Sequence, residues 1–273
     1  EGRSGVYIRG TTRGIEQKDM MKRLSQQKRF KTGGADLLCH SSVPVAGAID
    51  EATVASVSET EILQQVKPDA LNGAYYLIDY RGYAGYEPGA HVVNLFALGC
   101  MGSEAIKASD ILLARGIYAN VVIVTCTDLL VGNLAYENDF HHLRQNLQIN
   151  GSLHLQPANG QLIKGEVATL SGRRVPIVSV HDGEPGLLDN LGSIVGTQQI
   201  ALAVRKHSKC GRPTDVYRYH GIDADAVVEA VGKALAETAL EEVKVSTKVL
   251  LAVQGQHKPQ SSWRELWPTI QKH

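Results

Sequence analysis

Between Val92 and Asp128 an apolar run ends at Gly99-Cys100-Met101-Gly102-Ser103-Glu104, a helix-patterned segment follows, and a second apolar run ends at Thr127-Asp128. This order spells a βαβ unit, whose parallel strands are buried on both faces and therefore read as continuous apolar runs. It predicts an α/β protein built on a mainly parallel, mixed sheet, with helices above and below it as a three-layer α/β/α sandwich. A polar turn at the carboxyl end of the first strand exposes N–H groups at a helix start, which suits an anion or a polar ligand.

The rest of the chain extends the pattern. Gly5 to Arg9 reads as a strand, followed by the turn Thr11-Thr12-Arg13-Gly14 and the charged segment Lys18 to Lys31. Thr32 to Pro68 is small and polar, with a short helix expected at Glu59 to Val66. Strands are expected at 74–80, 92–98, 121–125 and 175–180, and helices at 103–115, within 134–147 and over 187–204. Gly116 stops the first of these helices, and residues 150–174, rich in Gly, Asn and Ser, read as an irregular loop or small hairpin. After Gly211-Arg212-Pro213 a short strand is expected, then Asp223 as the N-cap of a helix over 224–238.

Composition excludes several classes of function. Lys+Arg and Asp+Glu stand at 28 each and cancel, which leaves no footprint for nucleic acid or an anionic membrane. The cysteines at 39, 100, 126 and 210 are far apart with no C-x-x-C, against a zinc knuckle or disulfide framework and in favour of a reducing, cytoplasmic setting. No apolar run approaches the roughly 20 residues that span a bilayer. The chain opens on Glu1 within a strand-like segment, so a piece of a longer polypeptide is expected.

Several residues are candidates for chemistry, each beside a plainer alternative. Gly99, Gly102 and Ser103 form either an anion cradle or a tight strand-to-helix connection capped by Ser103; G-x-G-x-x-G is absent. His181 and Asp182 stand just past a strand end, where a paired acid and base could sit, or where two successive turns carry solvated acids. Glu137 and His141 are four residues apart and read as a helix-surface pair, since a metal would need a third ligand from elsewhere. Cys210 lies in the basic run Lys206 to Arg212, which reads as a solvated helix end or a surface for a carboxylate-rich partner. Arg13 follows a strand and could hold a phosphate or carboxylate with both arms, or be an ordinary surface arginine.

Three segments together carry a resemblance: Gly5 to Arg13, Val93 to Gly99 through Val121 to Thr125, and His220-Gly221-Ile222-Asp223-Ala224-Asp225-Ala226-Val227-Val228. In order and spacing they look like the carboxyl-terminal part of thiamine-diphosphate enzymes, nearest to the homodimeric E1 component of pyruvate dehydrogenase, with transketolase as the wider relative. The resemblance implies that 1–30 ends a pyrimidine-binding domain, 31–74 is a linker or insertion, 75–255 is a transketolase C-terminal-like domain and 256–273 is a tail.

It further implies a parent oxidoreductase that uses thiamine diphosphate and Mg²⁺, with the ligands for both in domains outside this chain. The chain alone would then bind no cofactor and have no activity, and would supply homodimer contacts and part of the active-site wall. The implied partners are the missing amino-terminal domains and a lipoyl-bearing E2. In transketolases an arginine at the place of Arg13 contacts substrate phosphate, whereas the pyruvate dehydrogenase pattern lacks it. Ketol transfer on sugar phosphates and a non-catalytic assembly or regulatory module therefore stand as alternatives.

Overall fold

The computed structural model describes residues 17–30, 57–149 (except 82, 84 and 87) and 174–253, with side chains described as far as 239. The expected strand at Gly5 to Arg9, the turn holding Arg13, and the 150–173 segment lie outside the described residues. The chain divides into two compact units, Glu1–Leu235 and Ala236–His273. The sheet and the candidate site belong to the first.

Among the described residues, five strands form one sheet in the order β1-β3-β2-β4-β5: β1 (Ala74–Ile78), β2 (Val92–Leu98), β3 (Tyr118–Val124), β4 (Ile177–Val180) and β5 (Gln199–Leu202). Only β1 runs antiparallel to its neighbour; the other pairs are parallel. The expected mixed α/β sheet is thus present. Asn94 and Asn120 face each other in register across β2 and β3. Asn120 donates to Asn94 at 3.0 Å and to the Tyr86 hydroxyl at 2.9 Å, and accepts from the Tyr80 N–H at 2.9 Å. Two amides therefore sit inside an apolar sheet without loss of hydrogen bonding.

Helices cover both faces. On the first face lie α1 (Gln17–Ser25), α2 (Glu59–Leu71), α3 (Gly102–Ala114) and the start of the long helix Ala224–Val253, contributing Leu24, Ile62, Val66, Leu112 and Val227 to one core cluster. Arg23 on α1 reaches Asp110 on α3 with both arms, at 2.7 and 2.8 Å. α2 begins with a capping box in which Ser58 and Glu61 exchange hydrogen bonds. It runs past the expected Val66 to Leu71, through Pro68.

On the second face, two short helices, α4 (Thr127–Val131) and α5 (Asn133–Glu137), a π-helical turn at His142–Asn146 and the short α6 (Leu191–Val195) bring Leu130, Leu143 and Leu191 over Phe96, Val122 and Ile177. Right-handed crossovers explain this division: β2 to β3 moves one way across the sheet and β3 to β4 to β5 the other, so their helices fall on opposite faces.

Four sequence expectations are corrected. Residues 187–204 do not form one helix: α6 ends after five residues at Gly196, whose φ of +74° is left-handed, and the next apolar stretch pairs with β4 as β5. The expected strand after Pro213 is the helix α7 (Pro213–His220), with Pro at its start and Gly221 in the left-handed region at its end. The helix within 134–147 is broken at Asp139 and Phe140, whose φ values are +51° and +53°. Glu137 and His141 therefore share no continuous helix. Finally, Ser103 does not cap α3; it lies in the first turn, and its hydroxyl donates to the Cys100 carbonyl at 3.1 Å. The helix after α7 is α8 (Ala224–Val253), and Asp223 does cap it, accepting from the Ala226 N–H at 3.2 Å.

Candidate functional site

The strand order reverses at β2. β3 lies on one side of it and β4 on the other, so the connections leaving the carboxyl ends of β2 and β4 diverge and make this edge the topological crevice of an open α/β sheet. In register, Ala97 pairs with Val180, so the residues that follow each strand, Gly99 to Cys100 and His181 to Asp182, emerge side by side. This is the place where open α/β sheets hold ligands.

Cys100, Asp182 and Tyr217 meet there. The buried Cys100 thiol donates to Asp182 Oδ2 at 3.3 Å and lies 3.1 Å from the Tyr217 hydroxyl on α7. A thiol has one proton, and with it directed at Asp182 the Tyr217 O–H is the donor to Sγ. The result is a relay from hydroxyl to thiol to carboxylate, ending on an exposed acid at the rim. Such an edge can accept a hydrogen bond from a ligand and transmit its position to α7.

The glycine turn between β2 and α3 is tightly wound. Gly99 has φ +65°, residues Gly99–Met101 form a 3-10 turn, and the Gly102 N–H is bonded to the Gly99 carbonyl. Gly102 packs closely on β3: a Cβ there would stand 3.1 Å from Ile123 Cδ1, which would have to shift by a few tenths of an ångström. Cys100 and Met101 are both buried. Glu104, 5% exposed in the first turn of α3, accepts from the Ala224 N–H at 3.2 Å and pairs with Lys107 at 2.9 Å. It thereby fastens the start of α8 to α3.

His181 lies elsewhere. It is fully buried, and among the described residues neither ring nitrogen meets hydrogen-bond geometry with a partner, although the Gly183 main chain passes close by. Burial pushes its pKa below the ordinary imidazole value; Asp189, Asp182 and the Gly183 backbone oppose this more weakly, and Arg205 adds to it. Alternation places it with Ile177 and Ser179 on the second face, whereas Asp182 turns to Cys100 on the first. The side chains of the two residues expected as a pair therefore turn to opposite faces, with Asp182 still acting on His181 through its charge.

Among the candidates read from sequence, Gly99, Gly102, Ser103 and Asp182 gather at this crevice, His181 lies behind it, and Arg13 is outside the described residues. Sequence reasoning missed Tyr217 and saw Cys100 only as part of the turn. Among the described residues no group of three or more His, Cys, Asp or Glu is placed to hold a metal, and no helix is long and apolar enough to cross a membrane.

A comparison with known protein families finds no match, and neither does one with curated protein sequences. Among solved structures, the chain is similar to a split-gene transketolase in the form of an inactive β4 tetramer, with 21% identity over 55% of this chain and 44% of that one and a TM-score of 0.33. It is also similar to the R525L transketolase mutant of Pichia stipitis, at 18% identity over 62% of this chain and 19% of that one with a TM-score of 0.39. A transketolase from Leishmania mexicana gives 16% identity over 61% and 18%, with a TM-score of 0.38. The chain thus spans less than half of the first and under a fifth of the other two.

Proposed function

We propose that this chain is the carboxyl-terminal α/β lobe of a thiamine-diphosphate-dependent enzyme, in which it forms subunit contacts of a homodimer and one wall of an active site. One observation carries the reading. Two of the three segments behind the resemblance, distant in sequence, are physically joined: 93–99 and 121–125 are the neighbouring strands β2 and β3, and the start of α8 within 220–228 is bonded to α3 through Glu104. Segments that resemble one family and also form one packed unit support common descent more than scattered matches would.

The cofactor's diphosphate does not fit the carboxyl edge. The exposed Asp182 puts a carboxylate at that edge, and the reading assigns the cofactor and Mg²⁺ to other domains, so no step is routed through them here. In the parent, a 2-oxo acid such as pyruvate would be decarboxylated and its acyl unit passed to a lipoyl-bearing E2; the chemistry is the cofactor's, while protein groups position the reactants. Arg13 favours a second reading, ketol transfer between sugar phosphates, because an arginine after a strand can hold a phosphate with both arms.

The test combines this chain with the cofactor-binding portion of its parent, thiamine diphosphate and Mg²⁺. Pyruvate-dependent CO₂ release supports the dehydrogenase reading. Transfer between pentose phosphates that Arg13→Ala reduces by tenfold or more supports ketol transfer, and the absence of both activities from a folded assembly overturns the proposal.

A further inference from the structure

The loop 205–212 carries four fixed cations, Arg205, Lys206, Lys209 and Arg212, and no acid, in a chain whose charges sum to zero as a whole. Every residue in it is exposed. Arg205 is partly balanced by Asp189 at 3.5 Å. Lys206 and Lys209 are held differently: their ammonium groups lie 3.7 and 4.8 Å from the centroid of one ring, Tyr219 on α7, and neither pairs with a carboxylate among the described residues. Two like charges that converge on one ring repel each other, and the arrangement is relieved when an anion comes between or beside them.

The loop is also fixed in place. Ser208 Oγ lies 3.1 Å from His220 Nε2, and the His220 ring packs edge-on against Tyr219 with centroids 5.0 Å apart. The cations are thus already positioned on the helix, so less side-chain freedom is lost when a partner binds.

We propose that loop 205–212, braced on Tyr219 and His220 of α7, is a docking surface for an acidic polypeptide segment of a partner chain. Exposure decides the class of partner. A single exposed ion pair contributes little, so one small anion on an open surface is held weakly, whereas an extended run of Asp and Glu meets Lys206, Lys209 and Arg212 together. Nucleic acid is disfavoured: a site of about 6–10 phosphate contacts needs more cations than this loop offers, and the lysines already occupy the Tyr219 ring on which a base would stack. The proposal does not depend on which reaction the parent performs.

The probe is a fluorescein-labelled peptide of alternating Glu and Gly, followed by fluorescence anisotropy with the full chain. Binding is expected at low salt, weakened at physiological salt, and reduced about tenfold or more in the double variant Lys206→Glu/Lys209→Glu. Lys18→Glu on exposed α1 should bind as the parent chain does. Circular dichroism checks that each variant is folded. Binding by the double variant equal to that of the parent chain overturns the proposal. So does complete displacement by millimolar inorganic phosphate, which marks a small-anion site, or tighter binding of a single-stranded oligonucleotide than of the peptide.

Discussion

At the carboxyl end of β4, consecutive residues meet opposite surroundings. Asp182 turns to the first face of the sheet, is exposed, and accepts a hydrogen bond from Cys100, which in turn receives one from Tyr217. His181 turns to the second face, is wholly buried, and has no partner at either nitrogen among the described residues. The strand's period of two sends them apart, and what covers each face then decides their chemistry. The first face ends in a polar relay tied to α7; the second ends in a neutral imidazole beside Leu187 and under the influence of Asp189 and Arg205. A titratable residue beside a strand end is thus not a site by position alone. Satisfied, exposed polarity marks the side where a ligand can be met, and buried polarity without partners marks a cost to the fold.

The broadest way to break this comparison is to ask whether both faces are truly covered. Leu95 and Phe96 are consecutive, fully buried and on opposite faces. Phe96→Ala should cost about 3–5 kcal/mol and Leu95→Ala about 2–5 kcal/mol in urea unfolding. A loss below about 1 kcal/mol for either would mean that its face lies open and that the two-sided core is wrong.

Glu104 sharpens the first face. Its carboxylate accepts from the Ala224 N–H and from Lys107 while almost wholly buried. Glu104→Ala should cost about 1–3 kcal/mol, because a helix-start donor is left without this acceptor in a buried place. Glu104→Gln keeps an acceptor for that donor and should recover part of the loss in thermal unfolding. Equal losses for both variants would show that charge, and not the tie to α8, is what matters.

The relay itself should show a smaller effect. Tyr217→Phe removes one hydrogen bond and should destabilise by about 0.5–1.5 kcal/mol. In a double-mutant cycle with Cys100→Ala the two losses should be less than additive, since the hydroxyl donates to the sulfur that the second change removes. Strict additivity would separate α7 from the crevice and leave Asp182 as an isolated surface acid.

Much of this architecture was legible in the sequence, and the remainder failed for identifiable reasons. β2, α3 and β3 were readable because continuous apolar runs flank a helical period, and Asp223 because a capping acid stands directly before one. The α6 to β5 segment was misread because its apolar residues suit either period; the deciding feature is the left-handed Gly196, which sequence shows only as a glycine. The helix α7 had a usable signal, Pro213 at its start and Gly221 just past its end, that was outweighed by the expectation of a strand. The crevice showed locally only as polar turns at two strand ends, and nothing local showed that they meet. Cys100 lies 82 residues from Asp182 and 117 from Tyr217, and only the reversal of strand order at β2 brings them together.

The subtlest difference between the faces is in their response to pH. His181 has its pKa lowered by burial, so between that folded value and the unfolded value near 6.5 the unfolded chain binds more protons than the folded one. Its contribution is therefore fully present above about pH 6.5 and declines as pH falls through that value towards the folded pKa. The imidazole loses a stabilising neutral state on acidification, and Asp182 and Asp189, both exposed, temper the effect without reversing it. His181→Leu should remove this part of the pH dependence between pH 7 and 5 in urea unfolding. It should also leave stability at pH 7 unchanged or raised, because two buried nitrogens without partners among the described residues are replaced by apolar surface of similar size. A variant that is much less stable at pH 7 yet keeps the same pH slope would show that the imidazole is held by a partner after all, and that the second face, like the first, ends in a polar network.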